Sequence, residues 1–225
     1  MATIADNLQA VKARIARAGN ATLLAVSKGQ GIERVREAIA AGQRAFGENY
    51  VQEALQKMDA MARERNDLQW HLIGPLQSNK TRTAAERFDW VQTVASEKIA
   101  NRLSAQRQVA IDAGRAPLNV LIQVNASGEA SKAGVSAEDV SPLAEKIAGL
   151  KNLRLRGLMA IPEPGAPRER YRAVKALFDQ LKGRFDLDTL SMGMSDDLEL
   201  AIAEGSTMVR IGTALFGPRP KEFSR

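Results

Sequence analysis

Two stretches near the C-terminus are rich in glycine and hydroxyl residues and have the composition of a phosphate-binding site. Residues 189–197 read Thr-Leu-Ser-Met-Gly-Met-Ser-Asp-Asp, and residues 208–217 read Met-Val-Arg-Ile-Gly-Thr-Ala-Leu-Phe-Gly. Each begins as a short apolar strand and continues into small residues, whose backbone N–H groups and hydroxyls can face an anion. A helix that starts at Ser195 or Asp196 would add its positive end to the same place. The pattern predicts a phosphate cradle.

The members of this cradle differ in how specific their signal is. Ser195 can cap a helix, which is the commoner role of a serine at such a place, or bind phosphate, and the two roles are compatible. Gly212 and Thr213 have no comparable alternative role, so the phosphate prediction depends more on them.

A single lysine, Lys28, follows the apolar run Leu-Leu-Ala-Val-Ser at residues 23–27. Removal of an amine from water lowers its pKa and makes it a nucleophile toward carbonyl groups. A nucleophilic lysine beside a phosphate cradle suggests pyridoxal 5'-phosphate (PLP) held as a Schiff base. The alternative is a lysine that extends into solvent from the end of a strand.

Two further polar residues are candidates for the same site. Arg210 lies within the apolar segment 208–211, where an unpaired charge is costly, so we expect it to face a ligand. Against the ring nitrogen of PLP, its guanidinium would keep that nitrogen unprotonated. The alternative for Arg210 is an ion pair with Glu204 or Glu48. Asn49 could reach the ring of the ligand or serve only as a turn residue.

Strand-like and helix-like segments alternate about eight times along the chain. Predicted strands cover residues 22–27, 44–46, 69–73, 90–93, 119–124 and 153–159, and the two stretches described above begin strands seven and eight. Predicted helices cover residues 3–18, 32–41, 51–65, 78–87, 96–113, 168–185 and 197–204, and a further helix opens at Ser136 with a capping box that includes Asp139.

This alternation predicts an α/β fold, a (β/α)8 TIM barrel with an extra N-terminal helix, formed as a single domain by residues 1–225. In such barrels the functional groups lie at the C-terminal ends of the strands, and phosphates often bind the loops after strands seven and eight, where the cradle falls. A doubly wound open sheet is the alternative. It would need a third glycine after Gly29-Gln-Gly31, which is missing.

Composition limits the remaining functions. The 225 residues include no cysteine and one histidine, His71, so thiolate and histidine-rich metal sites are excluded and a hydrogen-bonded core histidine is expected. No run of about 18 apolar residues and no secretion signal are present, so we expect a cytoplasmic protein without a membrane partner. The net charge of +6 is spread along the helices and aromatic residues make up 4%, so nucleic acid is not an expected partner.

Six motifs, in this order, resemble the pyridoxal phosphate homeostasis protein family over nearly the whole chain. They are Leu-Ala-Val-Ser-Lys (24–28), Phe-Gly-Glu-Asn-Tyr (46–50), Trp-His-Leu-Ile-Gly-Pro-Leu-Gln-Ser-Asn-Lys (70–80), Leu-Arg-Gly-Leu-Met-Ala-Ile-Pro (155–162), Leu-Ser-Met-Gly-Met-Ser-Asp-Asp (190–197) and Val-Arg-Ile-Gly-Thr-Ala-Leu-Phe-Gly (209–217). The family is similar to the N-terminal barrel of alanine racemase, a fold type III PLP-binding fold. Members are thought to buffer or deliver PLP, with no established turnover.

The resemblance implies a set of residue roles. Lys28 would form the Schiff base, and Arg210 would face the pyridine nitrogen. Asn49 would lie beside the ring. The phosphate would be bound by Ser195, Gly212 and Thr213, with Ser191 nearby. PLP-dependent apo-enzymes would receive the cofactor, and we expect a monomer or weak dimer.

One departure from the family lies next to the lysine. Members usually continue with Thr-Lys and often a proline, whereas this chain has Gly29-Gln30-Gly31. The loop is therefore expected to be looser and lacks one positive charge, so we hypothesise that the cofactor leaves faster than from a chain with Thr-Lys.

Two other functions are open at this point. A PLP-dependent racemase would need a second acid or base, which in racemases of this fold type is a tyrosine from an added β-domain. Neither Tyr50 nor Tyr171 is an evident substitute. The other possibility is a barrel that binds a different phosphorylated ligand, or an RNA-binding surface.

Overall fold

The computed structural model describes residues 2–127 and 132–218 and shows a closed barrel of parallel strands. In chain order the strands are β1 (Thr22–Val26), β2 (Ala45–Glu48), β3 (Gln69–Leu72), β4 (Trp90–Val94), β5 (Leu118–Val124), β6 (Leu153–Ala160), β7 (Thr189–Ser191) and β8 (Met208–Ile211). Each strand pairs with the next, and β1 closes the barrel by pairing with β8, as with Leu24 opposite Arg210. The predicted TIM barrel is confirmed.

Helices surround the barrel. They are α1 (Ile4–Ala18), α2 (Ile32–Ala40), α3 (Val51–Ala60), α4 (Thr81–Arg87), α5 (Glu97–Asp112), α6 (Ala137–Ala148), α7 (Arg168–Phe185), α8 (Leu198–Ala203) and α9 (Thr213–Phe216). The extra helix α1 buries Ile4, Leu8, Val11 and Ile15, the residues whose spacing predicted it. It packs against α8 and α9, the helices that flank the predicted cradle.

Several local predictions were wrong. Helix α3 ends at Ala60, and Arg65–Asp67 forms a separate 3-10 turn. No capping box forms at α6, because the hydroxyl of Ser136 donates to the carboxylate of Asp139 at 2.6 Å instead of accepting from the backbone. The four-residue helix α9 was not predicted, since it is too short to show a helical period.

Central strand residues are buried on both faces, as is usual in a parallel barrel covered by helices; all five residues of β4 are buried, including Gln92 and Thr93. Apolar side chains from the strands and the inner faces of the helices form one large core. Part of the predicted polar loop 125–134 falls on residues 128–131, which lie outside the described residues. Within residues 2–127 and 132–218, no helix is long and apolar enough to cross a membrane.

Candidate functional site

A cavity of about 240 Å³ opens at the C-terminal ends of the barrel strands. Its lining includes six of the seven residues predicted from the sequence, namely Lys28, Asn49, Ser195, Arg210, Gly212 and Thr213. They come from the ends of β1, β2, β7 and β8, segments that are far apart in the sequence and adjacent in the closed barrel. The fold therefore brings these six residues to one place, of a size that suits a small ligand.

Lys28 enters this cavity from the loop after β1. Its strand pairs with β2 on one side and β8 on the other, so Lys28 lies between the loop of Asn49 and the loop of Gly212 and Thr213. The residue is half-buried and lines the cavity. A ligand-facing Lys28 therefore stays a prediction, and its place in the cavity wall is compatible with it.

Arg210 is buried in the wall of the cavity, and its hydrogen bonds to described residues all go to neutral groups. Its Nη1 donates to the carbonyl and the hydroxyl oxygens of Ser191, both at 2.8 Å, and Nη2 donates to the carbonyl of Ala160 at 2.9 Å. Burial lowers the pKa of Arg210 to about 10, against the smaller opposing effect of the Asp197 charge. The guanidinium is therefore still charged at neutral pH.

The ion pair considered as an alternative for Arg210 does not form. Glu204 pairs with Arg168 at 2.5 Å and with Arg172 at 2.9 Å, and Glu48 pairs with Lys57. Arg210 forms no ion pair with any residue that the structure describes. A buried cation with neutral partners at the wall of a cavity is suited to an anionic or electron-rich ligand.

Ser191 is the predicted site residue that does not line the cavity. It is fully buried beneath Arg210, and its hydroxyl donates to Oε1 of Gln92 at 2.8 Å. Nε2 of Gln92 in turn lies 2.9 Å from Nδ1 of His71. Ser191 thus begins a hydrogen-bonded chain through the barrel interior that holds Arg210 from below.

His71 ends this chain and is a core histidine, as predicted. Burial lowers its pKa to about 3, so the ring is neutral, and it stacks on Trp90 with centroids 4.9 Å apart. Because Oε1 of Gln92 accepts from Ser191, its amide donates to Nδ1 and the ring proton lies on Nε2.

The two halves of the predicted cradle contact each other. The hydroxyl of Ser195 accepts from the backbone N–H of Ala214 at 3.3 Å, which joins the loop after β7 to the loop after β8. Arg14 of α1 donates to the carbonyl of Ser195 at 3.1 Å. The predicted helix start at Ser195 or Asp196 was wrong, because α8 begins at Leu198 and Asp197 occupies the N-cap position.

Glycines make two of these close approaches possible. Gly193 has a φ of +93°, and a Cβ there would lie 2.6 Å from Cβ of Ala201, so the cradle loop packs on α8 only with glycine. A Cβ on Gly74 would lie 2.3 Å from the carbonyl oxygen of Asn49. Gly74 therefore lets the loop that carries Asn49 pass close to the end of β3.

Sequence reasoning missed part of the lining. Gln30 is 5% exposed and lines the cavity, and its Oε1 has no hydrogen-bond partner among the described residues. In the sequence, Gln30 stood out only as part of a departure from the family next to Lys28. Asp196 and Gly217 belong to the two predicted cradle stretches but were not predicted to bind the ligand. The remaining lining residues, for which the sequence offered no chemical signal, are Val26, Ile73, Ile161 and Met194.

Comparisons with known proteins identify the family of this chain. The sequence matches the family described as alanine racemase, N-terminal domain, over residues 1–220. The pyridoxal phosphate homeostasis protein of Pseudomonas aeruginosa is 57% identical over 229 residues, which cover 97% of this chain and 97% of that protein.

Solved structures give the same result for the fold. PipY of Synechococcus elongatus PCC7942, with PLP bound, is similar with a TM-score of 0.83 and 37% identity, and the match covers 96% of this chain and 100% of PipY. The alanine racemase of Corynebacterium glutamicum has a TM-score of 0.74 at 17% identity, over 96% of this chain and 60% of the enzyme, and is a likeness of fold alone. This chain belongs to the pyridoxal phosphate homeostasis protein family, whose barrel is that of the alanine racemase N-terminal domain.

Proposed function

We propose that this chain binds PLP in the cavity at the C-terminal ends of its strands, as a Schiff base with Lys28, and carries or buffers the cofactor. The observation that carries the proposal is that a lysine, a buried arginine without an ion pair and the predicted phosphate cradle line one cavity of about 240 Å³. The PLP-bound structure of PipY, at 37% identity, supports it.

Each lining residue fits a part of this ligand. The amine of Lys28 can attack an aldehyde, and Ser195, Gly212 and Thr213 offer hydroxyl and backbone donors to a phosphate. Arg210 stays charged and is held rigidly by Ser191, so against a pyridine nitrogen it would disfavour protonation there. A ring with an unprotonated nitrogen is a weaker electron sink, which suits storage of the cofactor better than turnover.

The role in PLP homeostasis follows from the same features. We propose that the protein exchanges PLP with PLP-dependent apo-enzymes in the cytoplasm, as a monomer or weak dimer. The cavity opens to solvent at the strand ends, beside Ile161 and Met194, which are 49% and 38% exposed. An open, partly apolar rim gives the cofactor a route in and out.

A racemase-like enzyme is the second candidate, because the barrel is shared with alanine racemase. Proton transfer on two faces of a substrate would need a second group besides Lys28. Tyr171 belongs to α7 and donates its hydroxyl to Asp197, and burial raises its pKa, so it is committed elsewhere. Among the described residues that line the cavity, Asp196 is the one whose side chain has a carboxyl group.

Absorbance spectroscopy tests the first candidate. Wild-type protein with PLP should show an absorbance band at about 420 nm that survives dialysis, and this band should be lost or shifted in Lys28→Ala. If both proteins remain colourless after PLP is added, the cavity binds another phosphorylated ligand and the proposal is wrong.

Optical rotation separates the two candidates. Incubation of the loaded protein with L-amino acids should give no racemisation above the rate with free PLP. A faster rate that Asp196→Asn abolishes would favour the racemase-like enzyme instead.

A further inference from the structure

A cluster of three ionisable residues, two buried and one partly exposed, lies behind the loop that carries Lys28. Lys57 of α3 is 2% exposed, and its Nζ donates to the carbonyl of Ser27 at 2.6 Å, to Oε1 of Glu48 at 2.7 Å and to Oε1 of Glu53 at 2.8 Å. An ammonium group has three N–H donors, so all of them are used. We call Glu48, Glu53 and Lys57 the α3 charge cluster.

The α3 charge cluster contacts both chain neighbours of Lys28. On one side, Ser27 accepts from Lys57 through its carbonyl and donates from its hydroxyl to Oε1 of Glu48 at 2.5 Å. On the other side, the backbone N–H of Gly29 donates to Oε1 of Glu53 at 2.6 Å. The residues immediately before and after Lys28 are therefore both held by charged groups, through hydrogen bonds of the stronger kind.

Stability alone is a poor explanation for such a cluster. Removal of the Glu48 carboxylate and the Lys57 ammonium from water is costly, and well-packed apolar residues often replace a buried ion pair without loss of stability. Oε2 of Glu48 is buried with no partner among the described residues, which adds to the cost. What the charged groups supply and apolar residues could not is directional bonding to the backbone on each side of Lys28.

The backbone between these contacts has a conformation that needs such support. Gly29 has a φ of +69°, in the left-handed region, so the chain turns sharply directly after Lys28. A glycine-containing loop, Gly29-Gln30-Gly31, has many alternative conformations in the absence of fixed contacts.

We propose that the α3 charge cluster positions Lys28 for reaction with the aldehyde of its ligand by fixing Ser27 and Gly29. Glu48, Glu53 and Lys57 are positioning residues in this account and do not touch the ligand. The proposal rests on the proposed function of Lys28, and its experiment distinguishes failure of the one from failure of the other.

Substitution of Glu53 is the cleanest test, because this side chain is partly exposed at the start of α3. Glu53→Ala removes the acceptor of the Gly29 N–H, whereas Glu53→Gln keeps an oxygen in the same place. With Glu53→Ala we expect faster hydrogen exchange of the Gly29 amide and a rate of appearance of the PLP band lowered by about tenfold or more. Glu53→Gln should restore most of the protection of the Gly29 amide and most of the rate at which the PLP band appears.

Arg107→Met is the matched control for loss of a buried cation. Arg107 is 2% exposed and donates to the carbonyls of Ala85, Phe88 and Ala116, close to the N-terminal ends of the strands. This variant should lose thermal stability and keep the wild-type rate of band formation. Lys57→Met, which removes all three hydrogen bonds of the ammonium, should instead slow the formation of the PLP band.

The outcomes separate the two claims. If Glu53→Ala and Arg107→Met form the band at the wild-type rate, the positioning proposal is overturned while the Schiff base stands. If Glu53→Ala and Arg107→Met slow the formation of the band equally, the effect is general destabilisation and the positioning proposal is also wrong. If Lys28→Ala forms the same band as wild type, the proposed function itself fails, whatever the Glu53 variants do.

Discussion

Among the described residues, each end of the barrel carries one buried arginine and a cavity, and the two ends differ in the groups that surround that arginine. At the N-terminal ends of the strands, a cavity of about 710 Å³ is lined by Arg65, Arg107 and Arg115. Arg107 makes four hydrogen bonds to backbone carbonyls, and Arg65 and Arg115 both bind Oδ1 of Asp89, at 3.0 and 2.7 Å. These arginines join the end of α4 to its neighbours.

At the C-terminal ends, the smaller cavity is lined by polar groups whose bonding is incomplete. Arg210 makes three hydrogen bonds to neutral partners, which use at most three of its five N–H donors. Oε1 of Gln30 has no partner among the residues described. The larger cavity is lined by arginines that bond backbone carbonyls and Asp89, whereas the smaller one combines Lys28, Arg210 and the predicted cradle, so the chemistry of the lining identifies the candidate site better than volume does.

The pKa values alone would not have made this distinction. Burial lowers the pKa of Arg107 and of Arg210 alike to about 10. Both guanidinium groups bond mainly to backbone carbonyls, and both line a cavity. What differs is the rest of the lining, which includes Arg65, Arg115 and Asp89 around Arg107, and Lys28 with the predicted cradle around Arg210.

The largest expected effect is on stability, at the N-terminal end. Arg107→Met removes the guanidinium that donates to the carbonyls of Ala85, Phe88 and Ala116, and Phe88 keeps the longer bond from Arg115 at 3.3 Å, so we expect a loss of about 2–4 kcal/mol in the free energy of unfolding. Urea unfolding measures it, and PLP affinity should be unchanged. A variant of wild-type stability would mean that water replaces the guanidinium and that this end is less rigid than the contacts indicate.

The next effect is on binding, at the C-terminal end. Arg210→Met removes a charged donor from the ligand cavity, so we expect PLP affinity to fall by about 10- to 100-fold. Ser191→Ala, which leaves the charge and removes one of its supports, should weaken binding less. Equilibrium titration of absorbance gives both constants. Unchanged affinity in Arg210→Met would remove the contrast between the two ends.

A third effect concerns pH and the charge cluster behind Lys28. Burial raises the pKa of Glu48 to about 7, with Lys57 opposing the rise and Glu53 adding to it. Since the folded-state pKa lies above the unfolded value, the contribution of Glu48 to stability is fully present below about pH 4.5 and is lost as the pH rises through about 7.

Glu48→Gln should remove this dependence, because glutamine resembles the protonated acid. Between pH 5 and pH 8 the free energy of unfolding of the wild type should fall by about 1–3 kcal/mol more than that of the variant. Urea unfolding at each pH measures both values. Glu199→Gln, at an exposed ion pair with Arg14, is a control that should change little. Parallel pH profiles for wild type and Glu48→Gln would show that Glu48 does not titrate in this range.

The smallest expected effect concerns release of the cofactor. Gln30→Lys restores the charge that relatives usually carry, and a cation in the cavity should slow transfer of PLP to an apo-enzyme about threefold to tenfold in stopped-flow measurements. Gly29 should be left unchanged, because its φ of +69° would strain a threonine. Equal release rates would contradict the hypothesis that the glutamine loop releases PLP faster.

The order of elements and six of the thirteen residues that line the cavity could be predicted from the sequence. Apolar runs with intervening helical periods identify strands and helices, and the barrel then brings Lys28 next to Arg210 through the pairing of β1 with β8. The start of α8 was misplaced because Asp197, and not Ser195, occupies the N-cap position.

What could not be predicted is how buried polar side chains choose their partners. Glu48 was considered as a partner of Arg210, whereas it bonds Lys57 and Ser27. Only the spacing of Glu53 and Lys57, four residues apart on α3, could have indicated part of that cluster. Ser191 was expected near phosphate and instead lies below Arg210, because side-chain direction at the end of β7 depends on the register of the closed barrel.

The most direct test of the central claim is to locate the covalent bond itself. The protein would be incubated with PLP, reduced with borohydride and digested, and the modified peptide identified by mass spectrometry, with Lys28→Ala treated in parallel. The account predicts a phosphopyridoxyl group on Lys28 in the wild type and none at comparable yield in the variant. Modification of another lysine at the wild-type yield in both proteins, or of none in either, would contradict it.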